Sequence, residues 1–251
     1  MLHHPTLEKL NRLKFTGMSA ALTEQQSQGN IEQLSFEERL GLLVDREMTE
    51  RDTRRLQTRL RQAKLRHSAC MEDIDYRHPR GLDKSMTISL SDCHWIKKHL
   101  NVLLTGPTGV GKTWLACALA HKGCQSGHTA LYCRLPRLLQ SLALSRGDGS
   151  YAKLMSRLAR TDVIILDDWG LSSLSAEQRR DLLEILEDRH GSKSTIVTSQ
   201  VPIDKWHDVI GDPTLADAIL DRLVHGAYKF TLKGESLRKQ TTQLTDTTNK
   251  E

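Results

Sequence analysis

The sequence predicts an α/β chain in which a mainly parallel sheet carries helices on both faces and follows a small all-helical N-terminal domain. Three observations point there. Short apolar runs alternate with helical stretches beyond residue 96, and a glycine-rich turn joins the first of those runs to a helix. The first 72 residues instead carry leucines at helical spacing, with no proline after Pro5. At 251 residues the chain has room for one full α/β domain and a smaller appendage. Charged residues at 27% and apolar ones at 38% exclude a chain that is disordered throughout.

The helical domain is predicted over 1–72. Leu7, Leu10 and Leu13, then Leu34, Leu40, Leu43 and Val44, then Leu56, Leu60 and Ala63 recur at helical intervals. Gly17 and the Gln-Ser-Gln-Gly-Asn run at 26–30 punctuate the pattern. Ser35 followed by Glu38 predicts a capping box that opens a long helix running from Ser35 to about Cys70. Over 73–95 the period is lost and Pro79 and Gly81 appear, so this stretch reads as a linker. A second domain spans 96–240, with strands predicted at Asn101–Thr105, Thr129–Cys133, Asp162–Asp167, Ser194–Ser199 and Tyr228–Leu232. The polar, Thr-rich tail at 241–251 has nothing to bury and is expected to be disordered.

Five cysteines, an odd number without a C-x-x-C pair, predict free thiols, and the spacing of Cys93, His94 and His99 does not suit zinc. No apolar run approaches the length of a membrane span, and Met1–Pro5 lacks the layout of a signal peptide, so a cytoplasmic protein without a membrane partner is expected.

The chemistry is carried by Gly106-Pro107-Thr108-Gly109-Val110-Gly111-Lys112-Thr113, which satisfies G-x-x-x-x-G-K-[ST] between a predicted strand and a helix beginning at Trp114. Glycines let successive backbone N–H groups face a triphosphate, and the helix N-terminus adds partial positive charge. This is a P-loop. ATP is its expected ligand, with Lys112 on the β- and γ-phosphates and the Thr113 hydroxyl on Mg2+. Val163-Ile164-Ile165-Leu166-Asp167-Asp168 reads as an apolar strand ending in two carboxylates, a Walker B. Asp167 is the expected second metal residue. Asp168 is the expected base that activates water, the alternative being a helix N-cap or a solvated turn. Gln200, closing the next strand, is a candidate for the γ-phosphate or the attacking water, or else simply opens the loop before Pro202. The paired acids favour hydrolysis over phosphotransfer to a small molecule.

With those residues assembled, the chain from about 36 to 240 resembles the IstB-like transposition helper ATPases, relatives of the DnaC-type helicase loaders in the AAA+ superfamily. The resemblance rests on the P-loop, Leu166-Asp167-Asp168-Trp169-Gly170, the run from Gly211 to Leu223, Gly234-Glu235-Ser236-Leu237-Arg238-Lys239 and Ser35-Phe36-Glu37-Glu38-Arg39-Leu40. It implies a P-loop sheet of strand order 5-1-4-3-2, Gln200 as sensor 1, Arg222 as an arginine finger acting on a neighbouring subunit, and Arg238 as sensor 2. Ordinary ion pairs are the alternative for both arginines, Arg222 lying among Asp217 and Asp221. Trp114 stands where the family often has histidine, and Asp168 where most AAA+ proteins have glutamate. The implied partners are duplex DNA, a transposase and further copies of the chain in a ring or helical filament; a loader of the replicative helicase is the second reading.

The formal charge is +5, and Arg46–Arg66 holds eight bases against three acids, so this one segment carries an excess equal to that of the whole chain. Arg51, Arg54, Arg55, Arg59, Arg61, Lys64 and Arg66 are therefore the candidate contacts to duplex phosphates. A solvated helix face is the alternative, and the scarcity of aromatics there argues against a base-stacking single-strand platform.

Overall fold

The computed structural model of the chain describes residues 5–27 and 31–237. Residues 28–30 of the predicted loop, Arg238 and the tail predicted at 241–251 lie outside the described residues. The chain divides into two compact units between Thr58 and Arg59, a point within one long helix, whereas the sequence suggests a division near residue 72.

The first unit contains α1 (Pro5–Arg12), α2 (Thr16–Ser27) and most of α3 (Phe36–Ala63). The Ser35 and Glu38 capping box forms in both directions: the Glu38 N–H donates to Ser35 Oγ at 3.2 Å, and the Ser35 N–H donates to Glu38 Oε2 at 2.8 Å. Gly17 follows the break at residues 13–15 as the second residue of α2, where an added Cβ would stand 2.7 Å from Glu47 Cα, so it also lets two helix backbones touch. The buried Glu47 carboxylate accepts the Gly17 and Met18 N–H groups, which have no partner within the first turn of α2. α3 stops at Ala63, well short of Cys70, because Lys64 takes the left-handed backbone conformation at φ +50°.

The second unit begins with the end of α3 and includes the stretch read as a linker. That stretch carries α4 (Lys84–Ser91) and the start of α5 (His94–Lys97), and it buries Leu90 and Trp95. Two helices this short complete too few turns to print a period on the sequence. Asp83 caps α4 by accepting the Met86 N–H at 3.0 Å.

β1 (Val102–Thr105), β2 (Ala130–Arg134), β3 (Val163–Trp169), β4 (Ser194–Ser199) and β5 (Tyr228–Thr231) follow the predicted runs closely. Among the described residues they form one parallel sheet in the order β2-β3-β4-β1-β5, which is the order implied by the resemblance. β1 and β4 are buried along their whole length, as strands covered on both faces must be, and hence read as unbroken runs. One face packs on α6 (Lys112–Gln125). The other contributes Leu103, Leu131, Ile164, Leu166 and Val197 to a core shared with α7 (Leu135–Gly147), α8 (Tyr151–Arg160), α9 (Ala176–Arg189), α10 (Trp206–Ile210) and α11 (Pro213–Val224). All five cysteines are free thiols. Among the described residues, no helix is long and apolar enough to cross a membrane.

Candidate active site

Parallel strands that all point one way deliver their last residues to one rim, and the loops leaving that rim frame a crevice. Here the crevice is a cavity of about 740 Å³, lined by the P-loop, the ends of β2, β3 and β4, residues 66–80 and Leu237. Thr108, Gly109, Gly111, Lys112, Thr113 and Trp114 all line it, at the point where α6 begins. Gly106, Gly109 and Gly111 have φ of +144°, +88° and +94°. Two of these glycines meet a second demand. The segment leaving β5 crosses the loop, so that a Cβ on Gly106 would stand 2.2 Å from the Leu232 carbonyl oxygen, and one on Gly109 2.1 Å from Ser236 Oγ. The Leu237 N–H donates to the Gly109 carbonyl at 3.0 Å, which lays that segment along the loop.

Lys112 is 8% exposed and donates to the Gly106 and Pro107 carbonyls, both at 2.7 Å. Burial lowers the pKa of its ammonium, while Asp167 and Asp168 nearby act in the opposite direction. Asp167 is fully buried at the end of β3. Its Oδ1 accepts the hydroxyls of Thr113, at 2.8 Å, and Thr198; its Oδ2 accepts the Tyr132 hydroxyl at 2.6 Å. Burial, and then the bond to Asp167, push the Tyr132 pKa well above the ordinary phenol value, so this hydroxyl remains a donor.

Adjacent strand residues point to opposite faces, yet both acids belong to this rim. The register explains it: Leu166 pairs with Val197 and Trp169 with Ser199, so β3 holds one extra residue and bulges. Asp168 takes φ +66° within the bulge, a conformation that aspartate tolerates better than most residues. Its N–H donates to Thr198 Oγ1 at 3.3 Å, and its Oδ2 accepts Arg134 Nε at 2.7 Å. The bulge is anchored by Trp169, buried and packed at a tilt against Trp206 with ring centroids 5.0 Å apart. Asp168 is not a helix cap; Ser175 caps α9 with its own capping box. Gln200 lines the cavity, where its Oε1 accepts the Thr108 hydroxyl at 2.7 Å, so it does more than open a loop.

Arg222 does not line this cavity. Its guanidinium bonds Glu187 on α9, with Nη2 to Oε1 at 2.9 Å and Nε to Oε2, and Nη1 donates to the Ala218 carbonyl at 2.8 Å. The expected acidic neighbours Asp217 and Asp221 are not its ion-pair partners.

The seven basic candidates separate. Arg51, Arg54 and Arg55 pair along α3 with Glu47, Glu50 and Asp52. Arg59 donates to the Cys124 carbonyl at 3.2 Å. Arg66 lines the cavity with its guanidinium 3.5 Å from Asp167 Oδ2, so that, though partly exposed, it has a carboxylate of the site as its partner. Arg61 and Lys64 are exposed.

Sequence reasoning did not single out Tyr132, Arg134, Thr198 or Arg80. Arg134 is the sheet partner of Asp167, and Thr198 reaches both acids from the neighbouring strand. Their one signal is a polar side chain at the end of an apolar run. Arg80 is 7% exposed; Nη1 reaches the Val110 carbonyl at 3.5 Å, its Nε is without a partner, and burial lowers its pKa.

The donor set fits a magnesium nucleotide: N–H groups around glycines at positive φ, one buried ammonium, and hard oxygen ligands from Thr113 and Asp167. The model of the IstB-like ATP binding protein family matches residues 8–245. An insertion sequence ATP-binding protein of Sinorhizobium fredii is 56% identical over 239 residues, covering 95% of this chain and 98% of its own length. One from insertion sequence IS1162 of Pseudomonas fluorescens is 52% identical, covering 80% of this chain and 88% of itself. The solved structure of DnaI superposes with a TM-score of 0.58 at 23% identity, over 66% of this chain and 91% of that one. The DnaC helicase loader gives 0.55 at 21% identity, over 68% and 100%. The chain belongs to the IstB-like ATP binding protein family, and its fold is shared with the solved DnaI and DnaC structures.

Proposed function

We propose that this chain is a transposition helper that binds Mg-ATP at the rim of its sheet, assembles on duplex DNA in that state, and brings a transposase to the target. The observation that carries the proposal is the meeting of Lys112, Thr113, Asp168 and Gln200 around one cavity, with buried Asp167 accepting the Thr113 hydroxyl, in a chain whose relatives are insertion sequence ATP-binding proteins. In this reading residues 96–240 are the ATPase domain and 1–72 the DNA- or partner-binding domain, and the protein works in the cytoplasm.

Each residue has a role. The loop from Gly106 to Thr113, with Trp114 at the first turn of α6, holds the phosphates, and Lys112 neutralises them. Thr113 and Asp167 hold Mg2+, which when bound offsets charge on the transferred phosphate. Asp168 orients and deprotonates the water, and the Arg134 ion pair must loosen before it does so. Gln200 places that water or the γ-phosphate. Arg222 serves the site of a neighbouring copy, where it offsets developing charge once assembly draws it away from Glu187. Arg238 is the candidate for a further phosphate contact, since Leu237 just before it lines the cavity. Arg61 and Lys64 are the exposed cations best suited to DNA phosphates, with Arg51, Arg54, Arg55 and Arg59 adding to the field around them.

The fold likeness to a DnaC helicase loader favours one rival, a loader of the replicative helicase that works on single strands. Electrophoretic shifts with matched duplex and single-stranded DNA, each with ATP or ADP, separate the two. An ATP-dependent preference for duplex supports the transposition helper; a single-strand preference with helicase capture replaces it. Arg222→Ala should keep ATP binding yet lose the rise in turnover per subunit with protein concentration. Should wild-type turnover show no such rise, the trans role fails.

A further inference from the structure

Arg66 stands two residues beyond Lys64, where α3 has ended, and its partly exposed guanidinium meets the Walker B carboxylate. The two oxygens of Asp167 face different surroundings. Oδ1 takes the hydroxyls of Thr113 and Thr198, on the side of α6 and β4. Oδ2 takes the Tyr132 hydroxyl at 2.6 Å and lies 3.5 Å from Arg66 Nη1. One oxygen of the carboxylate thus gathers both a phenol and a guanidinium.

A fully buried carboxylate needs a compensating charge as well as hydrogen bonds. Of the other nearby cations, Lys112 spends its bonds on the Gly106 and Pro107 carbonyls and Arg134 pairs with Asp168. Among the described residues, Arg66 makes the one ion pair that Asp167 has. We propose that Arg66 is the internal counter-ion of Asp167 and shares it with the divalent cation of the nucleotide, so that loading the cation releases Arg66 and residues 64–68.

The inference rests on the reading of Asp167 as the metal-side carboxylate. Two cations drawn to one carboxylate repel each other, and the weaker-held one yields. Three hydroxyls fix Asp167, whereas the Arg66 side chain is 41% exposed and can turn into water at little loss. The release is local, because Ala63 before the bridge and Ala69 after it are both fully buried.

The test uses the full chain as wild type, Arg66→Ala and Arg66→Lys, titrating a fluorescent methylanthraniloyl ADP at a series of Mg2+ concentrations. Removing a competitor should lower the Mg2+ needed for half-maximal binding in Arg66→Ala by on the order of fivefold, the range of a partly exposed ion pair. Arg66→Lys should stay near wild type. Hydrogen exchange on the wild type should show residues 65–68 exchanging faster once Mg-ADP is added. An unchanged Mg2+ requirement, or weaker ADP binding by Arg66→Ala even in EDTA, overturns the proposal; the latter would make Arg66 a nucleotide contact. If Arg66→Ala does not fold, the exchange result decides, and slower or unchanged exchange refutes the proposal. A wild type that fails to bind ADP with Mg2+ takes down the nucleotide site itself, and the role of Arg66 with it.

Discussion

The two rims of the sheet both bury charged groups, and they do so in opposite ways. At the amino rim, Arg189 is 1% exposed and donates to the Thr195 hydroxyl at 3.2 Å, to the Thr161 carbonyl at 2.8 Å and to the carbonyls of Leu158, Asp162 and Ser194. Asp162 accepts the Thr129 N–H at 2.9 Å, the Thr129 hydroxyl at 2.8 Å and Lys193 Nζ at 2.6 Å. Asn101 ties the starts of β1 and β4 to the end of α11. Each partner belongs to the strand beginnings and helix ends of the fold, so this network is closed. At the carboxyl rim, Lys112, Asp168 and Gln200 also have partners, but they line a cavity of about 740 Å³. A buried charge therefore marks a functional site only where its network opens onto space a ligand can fill; a closed network is a staple.

That contrast can be broken at either rim, and the effects should run from large to small. Lys112→Ala should weaken ATP binding roughly 100-fold, the value of losing an ammonium on phosphate, and abolish turnover while leaving the melting temperature nearly unchanged. Calorimetric titration checks it, and retained tight binding would remove the P-loop assignment. Asp168→Asn should bind ATP and lose roughly 100-fold in turnover, measured as phosphate release; near-normal release would assign the base elsewhere. Arg189→Met should reverse the pattern, lowering stability by about 3 kcal/mol in denaturant titration while the folded fraction binds ATP as before.

The smallest effect is at Asp162. Burial raises its pKa, but the bonds from Lys193 and Thr129 outweigh that and bring it down to about 2. Because the folded value lies below the unfolded value of about 4, the contribution is present above pH 4 and is lost as pH falls through about 2. It amounts to on the order of 1 to 2 kcal/mol, with solvent screening of the partly exposed carboxylate allowed for. Asp162→Asn should flatten the stability profile between pH 4 and pH 2, and an unchanged slope there would contradict the assignment.

Local patterns made part of this molecule readable in advance. The P-loop between strand and helix, the paired acids after an apolar run and the Ser35 capping box are each written within a few consecutive residues, and the five strands follow from the apolar runs. The strand order came from the family resemblance, since no short window encodes which strands are neighbours. What stayed hidden depends on register and backbone. Arg134 and Thr198 matter because β2, β3 and β4 pair at particular offsets, and Asp168 reaches the rim because of one extra residue. Arg66 sat inside a basic run that reads as one uniform surface, and only the end of α3 at Ala63 sends it elsewhere. Gly17 marks the break before α2, but its close approach to the backbone at Glu47 is invisible in composition.

The chain leaving β5 presses on the P-loop closely enough that Leu232 and Ser236 leave no space for a side chain on Gly106 or Gly109. Those two positions thus answer to architecture as well as to phosphate. A decayed copy of such a gene, one that had given up catalysis, would still have to keep both glycines in order to fold. When degenerate homologues are sorted into working and defunct enzymes, the lysine at 112 is the diagnostic letter, and an intact glycine pattern vouches only for the shape.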